Sequence, residues 1–92
     1  MRKVRATVRI KGRVQGVGFR AATCRAALEY NLTGWVGNLP NGDVMAVFEG
    51  RESAVRQVLE WCRQGPTLAC VEELLIDWEK ASDEFETFTA RH

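Results

Sequence analysis

The sequence predicts a single α+β domain in which two helices cover one face of a four- to five-stranded antiparallel sheet. Two observations lead to this prediction. The periodic segments follow one another in the order βαββαβ, and 92 residues with 46% hydrophobic content suit one compact domain over residues 1–92. The order of these elements decides which loops meet in space.

The first strand is the clearest element, because apolar and polar side chains alternate along it. The apolar members are Val4, Ala6, Val8 and Ile10, and the polar members are Lys3, Arg5, Thr7, Arg9 and Lys11. We therefore expect one face of this strand in the core. The charged residues on its other face are interpreted as solvated side chains.

Two segments show the apolar spacing of helices. The first runs from Phe19 to Tyr30, with Asn31 as a suitable helix end. The second opens over residues 50–53 and is stopped by Gly65-Pro66. Its apolar positions i, i+3, i+4 and i+7 are Val55, Val58, Leu59 and Cys62. Both segments are predicted to bury one side against a sheet.

The remaining strands are predicted from turn signals and apolar runs. Residues 32–38 form the second strand, and Asn41-Gly42 marks a hairpin that returns as the third strand over residues 43–49. The third strand is apolar at consecutive positions and is expected to be central. A fourth strand covers about residues 69–78, and residues 85–89 are expected to add a short last strand after a polar turn.

This order of elements is that of the ferredoxin-like α/β sandwich, or split βαβ fold. A right-handed crossover makes the first and second strands parallel, with the third strand between them. Their carboxyl ends then share one edge of the sheet. We therefore expect the loop after Lys11 to lie beside Gly37 and Asn38, at the end of the second strand.

That loop carries an unusual concentration of glycines and has the features of an anion site. Its sequence is Gly12-Arg13-Val14-Gln15-Gly16-Val17-Gly18-Phe19-Arg20. Glycine allows positive φ, so several backbone N–H groups can face one point, and the following helix adds unpaired donors and the positive end of its dipole. An arginine in the first turn supplies a full positive charge.

The charge distribution and the cysteine content narrow the possible classes of function. Eight of the 13 basic residues precede Glu29, the first acid, so an anion would be steered to this region. The three cysteines, Cys24, Cys62 and Cys70, form no C-x-x-C pair, which argues against a zinc site or a disulfide framework. We interpret them as core thiols, and a disulfide between two of them stays open from the sequence. No apolar stretch is long enough to span a bilayer, and residues 1–5 lack a following signal-type apolar region, so a cytoplasmic protein is expected.

The predicted site has no general base, and His92 is the only histidine. The carboxamide of Asn38 can orient a water molecule but cannot take its proton during catalysis. Phosphoryl transfer can proceed with positioning and charge stabilisation alone. The substrate then needs a good leaving group, and an acyl phosphate, which releases a carboxylate, meets this need.

At these residues the chain resembles the acylphosphatase family. Residues 12–20 match the family signature G-x-V-Q-G-V-x-F-R at every stated position. Residues 34–38, Gly-Trp-Val-Gly-Asn, followed by Gly42 and Val44, are similar to its second signature, and the resemblance extends to about residue 79. It weakens after Glu79.

The resemblance implies hydrolysis of the carboxyl–phosphate bond of a small-molecule acyl phosphate, with no metal and no organic cofactor. It implies that the loop residues and Arg20 hold the phosphate and that Asn38 positions the attacking water. The loop residues are Gln15, Gly16, Val17, Gly18 and Phe19. Inorganic phosphate is then product and competitive inhibitor. We expect no nucleic-acid or membrane partner, and a monomer.

Three alternatives remain open at this stage. RNA binding on the same fold would need exposed aromatics on the third strand, where residues 43–49 offer one. An acylphosphatase-like module of a carbamoyl-phosphate-processing enzyme would look the same in isolation, although such chains are far longer and carry zinc-finger cysteine pairs. A catalytically idle binding domain is disfavoured by the presence of both Arg20 and Asn38.

Overall fold

The computed structural model describes residues 2–91 and contains seven helices and strands within that range. They are β1 (Lys3–Arg13), α1 (Phe19–Glu29), β2 (Thr33–Asn38), β3 (Val44–Arg51), α2 (Glu52–Gln64), β4 (Cys70–Lys80) and β5 (Phe88–Arg91). The first six agree with the predicted elements to within about two residues at each end, the usual scatter of helix and strand boundaries. The last strand begins three residues later than predicted.

The sheet has the strand order β4-β1-β3-β2-β5. β3 is central, as its apolar sequence predicts, and it pairs antiparallel with both β1 and β2. β1 and β2 are therefore parallel to each other, with β3 between them. This arrangement confirms that the two strands end at the same edge of the sheet.

The sheet is mixed, so the prediction of a purely antiparallel sheet was wrong for its last strand. β5 pairs parallel with β2, with Gly34 opposite Phe88 and Gly37 opposite Arg91. The reason is geometric. β4 ends where β2 begins, and the chain crosses that end of the sheet before it enters β5, so β5 must run in the direction of β2.

The core lies between the sheet and the two helices. α1 packs over β2 and β5, whereas α2 packs over β1, β3 and β4. The apolar members of the β1 alternation are all buried, as predicted. Phe88 is 3% exposed and stacks on Phe48 at a ring-centroid distance of 5.3 Å. Phe88 is thus the residue that fixes β5 to the core, and Phe85 lies outside the strand.

The segment that crosses from β4 to β5 is held by a buried carboxylate. Glu49 on β3 is 3% exposed and accepts hydrogen bonds from the backbone N–H of Ser82 (2.9 Å), the Ser82 hydroxyl (2.7 Å) and the backbone N–H of Asp83 (3.0 Å). Arg5 lies 3.6 Å from the same carboxylate and also contacts Glu84. Arg5 is therefore an ion-paired, largely buried residue, and its interpretation as a solvated side chain was wrong.

The pKa of Glu49 reflects this environment. Burial alone raises the pKa of a carboxyl group, but the hydrogen bonds from Ser82 and Asp83, together with the charge of Arg5, outweigh burial and lower the pKa of Glu49 below its ordinary value of 4.5. The ionised form is thus the one that the fold stabilises. The hydrogen bonds from Ser82 and Asp83 to Glu49 are therefore strongest when the Glu49 carboxylate carries its negative charge.

The three cysteines are free and occupy different environments. Cys62 on α2 is buried, and burial raises the pKa of its thiol to about 12, so it remains protonated. Cys24 is half-buried on α1. Cys70, at the start of the edge strand β4, is exposed, so the prediction of a core thiol was wrong there. His92, the single histidine, lies outside the described residues.

Neither α1 nor α2, the helices within residues 2–91, is long and apolar enough to cross a membrane.

We predict that Glu49→Gln lowers the free energy of unfolding by about 1–3 kcal/mol at neutral pH, because two or three donors lose an ionised acceptor. A carboxyl whose pKa is depressed on folding stabilises the fold above its unfolded pKa and stops doing so as pH falls through its folded pKa. The parent protein should therefore lose stability below about pH 4.5 more steeply than Glu49→Gln.

Urea unfolding between pH 3 and 7 measures this difference. Glu60→Gln is the matched control, because Glu60 is exposed on α2 and contacts only Arg63 among the described residues. If the free energies of unfolding of the parent and of Glu49→Gln changed with pH in parallel, the proposed stabilisation by the ionised Glu49 carboxylate would be wrong.

Candidate active site

The glycine-rich loop between β1 and α1 has the backbone conformation that an anion site needs. Gly16 and Gly18 lie in the left-handed region, with φ of 74° and 77°. A Cβ atom at either position would meet no atom within 4 Å, so conformation, and not space, requires glycine there. This conformation allows neighbouring backbone N–H groups to face one point.

α1 begins directly after this loop, with its N-terminus uncapped by any side chain of the described residues. Gly18 precedes the helix, and its carbonyl accepts the first helical hydrogen bond from Ala22 at 3.1 Å. The first turn contains no acidic residue. Its backbone donors are consequently available to an anion, and the helix dipole favours negative charge at this end.

Phe19 anchors the loop in the core. Its side chain is 2% exposed, and its ring lies 5.7 Å from that of Trp61 on α2. Gly65 permits this packing, because a Cβ there would lie 2.5 Å from the Phe19 ring. The loop is thus tied to the second helix through an aromatic contact.

Arg20 lies in the first turn of α1 and is held by β5, the edge strand over which α1 packs. Its Nη1 donates to the backbone carbonyl of Arg91 at 2.8 Å. The guanidinium of Arg91 in turn lies over the ring of Trp35, 4.3 Å from its centroid. β5 therefore restricts where the charge of Arg20 can point. This contact was missed from the sequence, because a backbone carbonyl leaves no residue-type signal.

The hairpin that follows β2 contains a buried carboxylate, Asp43, which pairs with two partly exposed cations of β1. Asp43 is 7% exposed, and its carboxylate contacts Lys11 at 3.2 Å, Arg9 at 3.5 Å and the Asn41 side-chain amide at 3.1 Å. Burial raises the pKa of Asp43, but hydrogen bonds from Lys11 and Asn41 and the charges of Lys11 and Arg9 lower it below its ordinary value of 3.8. Lys11 and Arg9 face solvent as expected, but both also form ion pairs with the Asp43 carboxylate.

A surface cavity of about 290 Å³ brings the two motifs together. It is lined by Val14, Gly16, Gly18, Phe19, Arg20, Ala21, Asn38 and Ala90. The loop, its arginine and the asparagine of the second strand thus meet in one cleft, as the parallel β1 and β2 require. Gln15 and Val17, the other two predicted loop residues, do not line it. Val17 packs against the core.

Two larger cavities, of about 610 and 450 Å³, lie toward the opposite end of the sheet. Their walls mix acidic and basic side chains, such as Lys3 with Asp83 and Arg56 with Glu52. Neither contains a residue of the glycine loop. The smaller cavity is therefore the candidate site.

The chemistry available in the 290 Å³ cavity is restricted. Arg20 is the only side chain on its wall that carries a charge, and Asn38 is the only other polar one. No carboxylate, imidazole or thiol is present on this wall to act as a general base. Within residues 2–91 no group of acidic, histidine or cysteine side chains is arranged to hold a metal ion. The cavity suits an anion and a polar molecule held beside it.

The chain is similar in sequence to proteins of one known family. The sequence profile of the acylphosphatase family matches residues 6–90. The chain is 54% identical over 84 residues to an acylphosphatase of Syntrophus aciditrophicus, covering 91% of this chain and 88% of that protein.

Solved structures show the same fold. The crystal structure of acylphosphatase from Bacillus subtilis superposes with a TM-score of 0.93 at 28% identity, covering 97% of this chain and 99% of that one. Full-length HypF in a phosphate- and nucleotide-bound form shares the fold, with a TM-score of 0.85 at 24% identity. That match covers 99% of this chain and 12% of HypF.

Proposed function

Because the chain belongs to the acylphosphatase family and hydrolyses acyl phosphates, we propose that the 290 Å³ cavity is where its small-molecule substrate reacts. The observation that carries the proposal is the meeting of Gly16, Gly18, Arg20 and Asn38 on one wall. No other cavity described above combines open backbone donors, a cation and a carboxamide.

The phosphoryl group is bound by the backbone N–H groups of residues 15–19 and by the guanidinium of Arg20. These donors face a dianion in a site with no competing acid on its wall. They also stabilise the charge that spreads over the equatorial oxygens in the transition state of phosphoryl transfer. The bond from Arg20 to the Arg91 carbonyl supports this role, because it uses one donor atom and leaves the rest of the guanidinium for the phosphate.

Asn38 holds the attacking water. Its side chain is exposed and makes no hydrogen bond to the described residues, so its amide oxygen and nitrogen are both available. The water oxygen bonds to phosphorus while the bond from phosphorus to the acyl oxygen breaks, and the carboxylate leaves. The proton of the water passes to a phosphate oxygen, which explains how a site without a general base can work. The carboxylate needs no protonation to leave.

We propose further that the enzyme needs no metal and no organic cofactor, because the wall of the cavity carries none of the side chains that bind metals best. Inorganic phosphate, the product, competes for the same donors. We propose a monomer as the working unit, because the residues given roles above, Arg20 and Asn38 among them, already come together within a single chain. The three cysteines are free, which supports action in a reducing compartment such as the cytoplasm. Acidic side chains pair with Arg5, Arg9 and Lys11 on β1, which supports the proposal that no nucleic acid or membrane surface binds there.

We predict that the purified protein hydrolyses benzoyl phosphate at the same rate with and without an excess of chelator. The released benzoate is followed by absorbance, and Asn38→Ala prepared in the same way controls for a contaminating phosphatase. A fall of about tenfold or more in chelator, restored by one divalent ion, would contradict the proposed metal independence.

We predict that Arg20→Gln raises the inhibition constant of inorganic phosphate about 10- to 100-fold, because charge-assisted hydrogen bonds contribute about 1.5–3 kcal/mol. The measurement is competition against benzoyl phosphate at fixed pH and ionic strength. Arg25→Gln, on the same helix and with the same change of charge, should leave that constant within about threefold. Equal inhibition constants for Arg20→Gln and the parent would contradict the phosphate-binding role.

We predict that Asn38→Ala lowers kcat about 100-fold, because the water is no longer held in line with the leaving group. The inhibition constant of inorganic phosphate should stay within about threefold of that of the parent, since the loop and Arg20 remain. Asn31→Ala, an exposed asparagine at the far end of the sheet, is the control for kcat. Loss of phosphate competition with an unchanged kcat would reverse the roles of Asn38 and Arg20.

A further inference from the structure

Gln15 belongs to the glycine-rich loop, but its side chain is directed to the hairpin between β2 and β3. Its Nε2 donates to the backbone carbonyl of Leu39 and to that of Asp43, both at 2.8 Å. The side chain is half-buried and does not line the 290 Å³ cavity. The amide therefore joins two backbone segments and has no direct contact with the place where substrate binds.

The two carbonyls belong to Leu39 and Asp43, the residue pair that closes the hairpin turn. Leu39 directly follows Asn38, and the backbone N–H of Leu39 donates to the Asp43 carbonyl at 2.8 Å, which closes the turn. The Leu39 carbonyl also accepts from the N–H of Gly42 at 3.2 Å. Gln15 thus adds a second donor to each carbonyl of the closing pair. It binds the hairpin at the residue next to Asn38.

Other ties between the hairpin and the β1 end of the molecule are weaker. The backbone ladder between β1 and β3 ends at Ile10 opposite Val44, before the hairpin begins. Among the described residues, Lys11 and Arg9 also reach Asp43, but through long side chains that are 38% and 45% exposed. Such partly exposed ion pairs restrict geometry poorly. The short Gln15 amide is the more rigid link.

We infer that Gln15 is a positioning residue that sets the separation between the phosphate-holding loop and Asn38. This inference rests on the proposed roles of the loop and of Asn38. Asn38 has no side-chain hydrogen bond of its own to the described residues, so its placement depends on the backbone of the hairpin. Reaction rates fall steeply when a reacting group is displaced by as little as about 1 Å. Release of the link therefore affects the water more than the phosphate.

The test is Gln15→Met, which keeps the length of the side chain and removes both donors. The variant should fold, because each carbonyl retains its backbone partner. We expect kcat for benzoyl phosphate to fall about 10- to 100-fold while the inhibition constant of inorganic phosphate changes less than about threefold. Gln57→Met, an exposed glutamine on α2, is the matched control and should change neither value.

Two outcomes overturn the inference. An unchanged kcat would show that the link does not matter for the reaction, and a parallel loss of phosphate affinity would show that Gln15 shapes only the phosphate loop. If Gln15→Met does not fold, Gln15→Glu serves instead, since it has the same shape but places a carboxylate against the two carbonyls. The same two measurements decide.

A double-mutant cycle separates this inference from the proposed function. If Gln15 acts through Asn38, Gln15→Met should lower kcat by less than about threefold when Asn38 is already alanine. Full additivity with an impaired Asn38→Ala would overturn the positioning role and leave the proposed function intact. A fully active Asn38→Ala would instead overturn the proposed role of Asn38, on which the inference depends.

Discussion

The proposed active site depends on one topological constraint, namely that β1 and β2 run parallel with β3 between them. Each pairs antiparallel with β3, so both end at the same edge of the sheet. The loop after β1 and the hairpin after β2 must then be neighbours, whatever their sequences. The chain uses this edge to set a glycine-rich loop opposite an asparagine. Neither segment forms the cavity alone, which explains why two motifs distant in sequence are required.

The parallel arrangement of β1 and β2 brings the glycine-rich loop and the hairpin together. Hydrogen bonds made by side chains at both ends of the sheet then fix the position of individual segments. At the far end, Glu49 holds the crossing segment and so determines where the chain enters β5. β5 has only four residues, and Phe88 fixes it against the core. The Arg91 carbonyl at its end then holds Arg20.

Much of this arrangement is predictable from the sequence, and the exceptions share a physical cause. The alternation in β1, the glycine loop and the shared strand edge all follow from local pattern and topology. The last strand was predicted to begin three residues too early, because the sequence leaves open whether Phe85 or Phe88 covers the edge of the core, and packing on Phe48 selects Phe88. The contacts of Gln15 and Arg20 were missed because their partners are backbone carbonyls. From the sequence, Glu49 looks like an ordinary surface acid, because the groups that donate hydrogen bonds to its carboxylate lie more than thirty residues away in the chain.

The charge pattern illustrates how folding changes what a sequence suggests. The first 25 residues contain only basic charges, which alone would predict a broad anion-attracting surface. Folding brings acids from later in the chain against most of the β1 cations, with Glu49 beside Arg5 and Asp43 beside Arg9 and Lys11. Arg20 contacts no acidic side chain within residues 2–91. The attraction for an anion is therefore stronger near the cavity, where the glycine loop offers its donors beside Arg20, than along β1, where Arg5, Arg9 and Lys11 are paired with acids. That distribution suits a small phosphorylated substrate better than an extended polyanion, because a polyanion needs a continuous row of unpaired cations.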